Sequence, residues 1–127
     1  MKTDKEVVYK EESYEIIAAC LEVYNTLGNG FLESVYKEAL EYEFIERNNP
    51  YKRETTFFIP YKNKILTQKF NADFVVYDKI ILEVKAVNDI VDRFFRQTLN
   101  YLSAANFKLG ILANFGEDRF KYKRIVN

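Results

Sequence analysis

A chain of 127 residues that is 48% hydrophobic, with ten Tyr and eleven Phe, holds one hydrophobic core and too little material for two ordinary domains. It contains no histidine, which excludes Ser-His-Asp and Cys-His nucleophile systems and His-ligated zinc. The formal charge is zero, but residues 1–46 carry eleven acids against four bases and residues 47–127 carry eight against fifteen, so a neutral chain can still offer a basic surface to a polyanion.

No apolar run approaches bilayer thickness, and the N-terminal MKTDKEVVYKEESYEII lacks the apolar stretch of a secretory signal. The only cysteine, Cys20, falls in an apolar helical pattern and reads as a buried thiol in a reducing compartment. The expectation is a cytoplasmic, single-domain protein over residues 1–127 with no membrane contact and residues 1–11 frayed.

A first helix is expected from Ser13, as N-cap, to Leu27, with Ile16, Cys20, Val23 and Leu27 as its stripe and Gly28 as its stop. Gly28-Asn29-Gly30 reads as a tight turn. A second helix follows from Phe31 to Arg47, with Leu32, Val35, Ala39, Leu40 and Phe44 inward, and Asn48-Asn49-Pro50 ends it. The period then changes to that of strands. Thr55 to Ile59 is one, stopped by Pro60. Leu66 to Tyr77 is a long or bent second. Ile80 to Val87 is a third, apolar on both faces apart from Glu83 and Lys85. A helix from Asn88 to Ala105, a strand from Lys108 to Phe115, a turn at Gly116-Glu117-Asp118 and a last strand from Phe120 to Val126 complete the order ααβββαββ. The strand–helix–strand unit at 80–115 predicts a parallel crossover, and the whole predicts a mixed sheet with helices on both faces.

Asp73 and the pair Glu83/Lys85 interrupt apolar strand sequence, and an unpaired buried carboxylate costs several kcal/mol. With Tyr77-Asp78-Lys79 as the hairpin loop, Val76 opposes Ile80 and Asp73 opposes Glu83, on one face with Lys85 beside them; a two-residue loop would put the carboxylates on opposite faces. Two carboxylates that close repel unless a cation lies between them, and a hard divalent ion resolves the conflict. The plainer reading is a Glu83–Lys85 salt bridge, with Glu33, Asp89 and Arg93 as solvated charges.

Gly30-Phe31-Leu32-Glu33-Ser34-Val35-Tyr36 resembles the signature of the GxxExxY protein family, and the likeness continues through Ala72-Asp73-Phe74, Glu83-Val84-Lys85-Ala86, Gln97 to Leu102 and Ile111 to Gly116. That family is placed in the PD-(D/E)xK nuclease superfamily, so the resemblance implies a restriction-endonuclease-like α/β core, a central mixed sheet flanked by helices. It also implies that Asp73 is the acid of the second core strand, Glu83 and Lys85 the (D/E)xK pair, Glu33 the acid of the first core helix, and Gln97, with Tyr101 a turn later, the glutamine motif. Ala72 stands where the superfamily often has proline, and Tyr24 where many relatives have histidine.

The implied activity is Mg²⁺- or Mn²⁺-dependent hydrolysis of nucleic acid, most readily DNA. Asp73, Glu83, the Val84 carbonyl and, through water, Glu33 would hold the ion. Lys85 and Gln97 would position water and phosphate. Lys52, Arg53, Lys62, Lys64, Lys69, Arg93, Arg96 and Tyr101 would contact the nucleic acid. A non-catalytic nucleic-acid-binding or protein-interaction module on the same fold is the alternative, and a purely structural domain a third. The many Tyr and Phe leave a homodimer open.

Overall fold

The computed structural model describes residues 7–127. The elements follow in the expected order: α1 (Lys10–Leu27), α2 (Glu33–Arg47), β1 (Tyr51–Tyr61), β2 (Lys64–Val76), β3 (Ile80–Lys85), α3 (Asp92–Ala105), β4 (Leu109–Asn114) and β5 (Lys121–Val126). The strands form one sheet in sequence order, with β3 and β4 parallel and the other neighbours antiparallel. α1 and α2 cover one face around Ile16, Cys20, Tyr36, Leu40 and Phe44; α3 covers the other around Leu102. No described helix is long and apolar enough to cross a membrane.

Tertiary contacts moved several expected boundaries. α1 starts one turn before Ser13, at Lys10, where Glu11 and Glu12 complement the helix dipole. Ser13 is therefore a buried interior residue and not the cap. The fraying expected for residues 1–11 lies outside the described residues for 1–6, and Lys10 and Glu11 are already helical. α2 starts at Glu33 because Gly30, at φ 108°, and the extended Leu32 precede it. Leu32 is 76% exposed, and the buried place expected for it belongs to Tyr36. β1 runs through Pro60 instead of stopping there, since on a sheet edge the missing N–H costs no ladder bond.

α3 starts at Asp92 and not at Asn88. The buried Asn114 side chain accepts from the Val87 N–H and donates to the Val87 carbonyl, both at 3.0 Å, and so holds the segment after β3 out of a helix. Gly116 makes the close approach feasible: a Cβ there would meet Val87 N and O at 2.4 Å. Gly116→Ala must push the two segments apart, and we expect a loss of roughly 1–3 kcal/mol in urea unfolding, with the far-UV circular dichroism of the native state kept. An unchanged midpoint would show that the contact bears no load.

Candidate active site at the fork between β2 and β3

β2 builds the site by breaking its own regularity. Residues two apart on a strand share a face, yet Phe74 packs in the α1/α2 core and Ala72 in the α3 core. The strand turns over at Asp73. β1 follows it, pairing Arg53 with Phe74 and Thr55 with Ala72 and leaving Glu54 between them at φ 51°. On the other side the ladder pairs Val76 with Ile80, Val75 with Ile81 and Phe74 with Leu82, then stops, while β3 continues to Lys85 beside β4. The result is a fork with Asp73 across from Glu83, in the register of the three-residue loop Tyr77–Lys79.

The two carboxylates close the fork. Asp73 N–H donates to Glu83 Oε2 at 2.9 Å, and Val84 N–H donates to Asp73 Oδ2 at 2.8 Å. Asp73 is 8% exposed and Glu83 5%. Burial first, then the Asp73 charge, raises the Glu83 pKa to about 8, against smaller opposing effects of the Asp73 N–H, Lys85 and Lys37. The same carboxylates, after burial, raise the Tyr101 hydroxyl.

Lys37, on α2, escaped the sequence reading. Its Nζ lies 2.8 Å from Asp73 Oδ1, 3.7 Å from Glu33 Oε1 and 4.0 Å from Glu54 Oε1. Burial pulls its pKa down, but the hydrogen bond to Asp73 and the three acidic charges outweigh this and leave it raised. Its spacing of four residues from Glu33 was the signal available. α2 is positioned by Tyr36, whose hydroxyl donates to the Gly28 carbonyl at 2.6 Å and accepts from the Phe31 N–H at 3.2 Å while its ring stacks on Phe115. Glycine, glutamate and tyrosine of the Gly30–Tyr36 segment thus have separate tasks: a turn, a place beside Lys37, and an anchor.

Among the described residues Glu33 is joined to Asp73 only through Lys37. Among the described residues no three acidic side chains come together as a metal cage. Lys85 makes no ion pair with Glu83 among the described residues; its Nζ lies 4.7 Å from the centroid of the Phe94 ring on α3. Gln97 is exposed on α3 and makes no side-chain hydrogen bond among the described residues. Lys52, Lys62, Lys64, Lys69, Arg93 and Arg96 are exposed as well. Three residues expected at a nucleic-acid surface have other partners: Lys52 Nζ lies 3.2 Å from Asp78 Oδ1. Arg53 is bound to Glu41 at 2.6 Å above the Phe74 ring, and Tyr101 stacks on Phe70 with centroids 3.9 Å apart. A hollow of about 500 Å³ bordered by Asp89, Glu117, Phe120 and Tyr122 lies beyond the ends of β3 and β4, away from the carboxylates.

Residues 10–125 match the family model described as the PD-(D/E)XK nuclease superfamily. The chain belongs to the PD-(D/E)XK nuclease superfamily. The solved structure of SSO0001 superposes with a TM-score of 0.60 at 20% identity, over 94% of this chain. That likeness shows the fold, and the present chain spans 57% of the SSO0001 chain. No match was found among curated protein sequences.

The raised Glu83 pKa makes stability depend on pH. The unfolded carboxyl releases its proton near the ordinary value of 4.5 and the folded one at about 8. Between these values the folded state holds the extra proton, so stability falls as pH rises from 4.5 to 8 and then levels off. Glu83→Gln removes this dependence while keeping an oxygen for the Asp73 N–H. Without divalent ions, it should match the wild type near pH 4 and exceed it at pH 8.5 by several kcal/mol in chemical unfolding. A Glu83→Gln protein less stable than the wild type at pH 8.5 would contradict the buried-pair reading.

Proposed function

We propose that this chain, over residues 1–127 as a single nuclease-like domain of the cytoplasm, hydrolyses phosphodiesters in DNA with Mg²⁺ or Mn²⁺. The observation that carries the proposal is a buried pair of carboxylates in which Lys37 pairs with Asp73 while Glu83 faces Asp73 with no ion-pair partner of its own among the described residues. Asp73, Glu83 and the Val84 carbonyl form an all-oxygen donor set of the kind hard divalent ions prefer, with Glu33 near enough to act through water. Such an ion supplies, when bound, polarisation of a phosphoryl oxygen and an acidified water.

The chain's own groups have complementary roles. Lys85, now resting on the Phe94 face, is on the strand position two beyond Glu83 and would orient the attacking water and stabilise developing negative charge. Gln97, on the solvent side of α3, would orient the phosphate. Lys52, Lys62, Lys64, Lys69, Arg93 and Arg96 would hold the backbone without reading sequence. The Gly30–Tyr36 segment supports a place in the GxxExxY family, since its glycine, glutamate and tyrosine each take part in positioning α2 against Asp73.

Asp73→Asn and Glu83→Gln test the proposal directly. Wild type is incubated with Mg²⁺ or Mn²⁺ and duplex, single-stranded, flapped and junction DNA and RNA. We expect DNA cleavage that falls at least about 10²-fold in either variant, equivalent to about 3 kcal/mol of transition-state stabilisation. Wild type that cuts no substrate on this panel would replace hydrolysis by the non-catalytic binding-module reading.

A further inference from the structure

β1 and β2 extend well past the rest of the sheet. They stay paired to Tyr61–Lys64, whereas β3 accompanies β2 only from Phe74 onward. Residues 55–71 therefore form a two-stranded arm. Its base is braced by aromatic packing: Phe70 lies flat on Tyr101 at 3.9 Å, Phe57 stacks on Phe70 at 5.3 Å, and Phe107 meets Phe57 edge-on at 5.5 Å. Beyond that brace all of residues 61–69 are exposed. From Phe70 to Lys64 the free part of β2 reaches roughly 20 Å.

The tip is both apolar and basic. Phe58 is 54% exposed, Tyr61 56% and Ile65 67%, three large apolar side chains on one hairpin. Residues 55–71 contain three lysines, Lys62, Lys64 and Lys69, and no acid. Two such tips repel each other, which disfavours a second copy as the occupant. A polyanion satisfies the charge, and aromatic side chains among lysines suit contact with sugar and base edges.

The shape selects among polyanions. A two-stranded ribbon fits the major groove of B-form DNA, roughly 12 Å wide, and not the minor groove at roughly 6 Å. The major groove of duplex RNA is too narrow to admit it. We infer that the β1–β2 arm docks in the major groove of duplex DNA, with Lys62, Lys64 and Lys69 against the flanking phosphates. This rests on the proposed hydrolytic reading for its purpose: Asp73 follows Ala72, at the arm's base, on the same strand, so seating the arm sets which phosphate reaches the fork.

The test is a binding titration with chelator present, so that no strand is cut, using duplex DNA, single-stranded DNA and duplex RNA of equal length. The wild type should favour duplex DNA over the other two at least tenfold. Lys62→Gln/Lys64→Gln/Lys69→Gln should weaken duplex binding at least tenfold, and the slope of log affinity against log salt should shrink by roughly 2–3. N7-methylated guanine should interfere with wild-type binding over a short run. Unchanged affinity and salt slope in the triple variant, or equal binding of duplex RNA, would each overturn the inference. Failure of the hydrolytic reading is separate: arm-dependent duplex binding in a wild type that cuts nothing would keep the arm's role and remove the enzyme.

Discussion

Beyond Phe74–Leu82 the β2–β3 ladder gives way to two side-chain bonds, from Asp73 N–H to Glu83 and from Val84 N–H to Asp73. Much of the architecture follows from this substitution. It lets β2 turn over, so that Phe74 enters one core and Ala72 the other. It frees the β1–β2 pair to run on as an arm. It also keeps two carboxylates in one small, nearly dry volume, where Glu83 is driven toward its neutral form. A sheet that continued its regular pairing would be more uniform and would hold neither the acidic pair nor the arm. Glu54, between the paired Arg53 and Thr55, adopts the left-handed region here, as expected where function competes with regular structure.

The charge distribution acquires a spatial meaning from the same topology. α1 and α2 contain nine glutamates and three basic residues, and both lie on one face of the sheet. The arm and the exposed side of α3 carry Lys62, Lys64, Lys69, Arg93 and Arg96. The fork lies between an acidic layer and the basic elements. Lys37 is the basic residue of the acidic layer that reaches the fork, and it satisfies Asp73 there. Its ammonium gives Asp73 an ion-pair partner, while Glu83 remains the costly member of the pair.

The element order and the Asp73–Glu83 register were legible in the sequence. The change from a 3.6-residue period to strand patterning, and the three-residue loop after Val76, are local signals. Helix starts were not, because partners distant in sequence decide them: Asn114 holds the backbone at Val87, so that α3 starts at Asp92 and not at Asn88, and the cap expected at Ser13 gave way to a start at Lys10. Tyr36 was legible as a motif residue but not as a core residue, since its burial depends on Gly28 and Phe115. Lys37 looked like an ordinary surface lysine on α2. Arg53 and Tyr101 had the right chemistry for a nucleic acid, yet Glu41 and Phe70 engage them. Composition cannot distinguish a free charge or ring from one already paired.

In the proposed nuclease Glu83 is a metal ligand held toward its neutral form until an ion arrives. The most direct measurement is calorimetric titration of the wild type with Mg²⁺ and Mn²⁺ at pH 7, in buffers of differing ionisation enthalpy. With the Glu83 pKa raised to about 8, ion binding should release about one proton per site. Glu83→Gln should lose both the release and most of the affinity. Ion binding without proton release, retained in full by Glu83→Gln, would show that the fork is not the metal site.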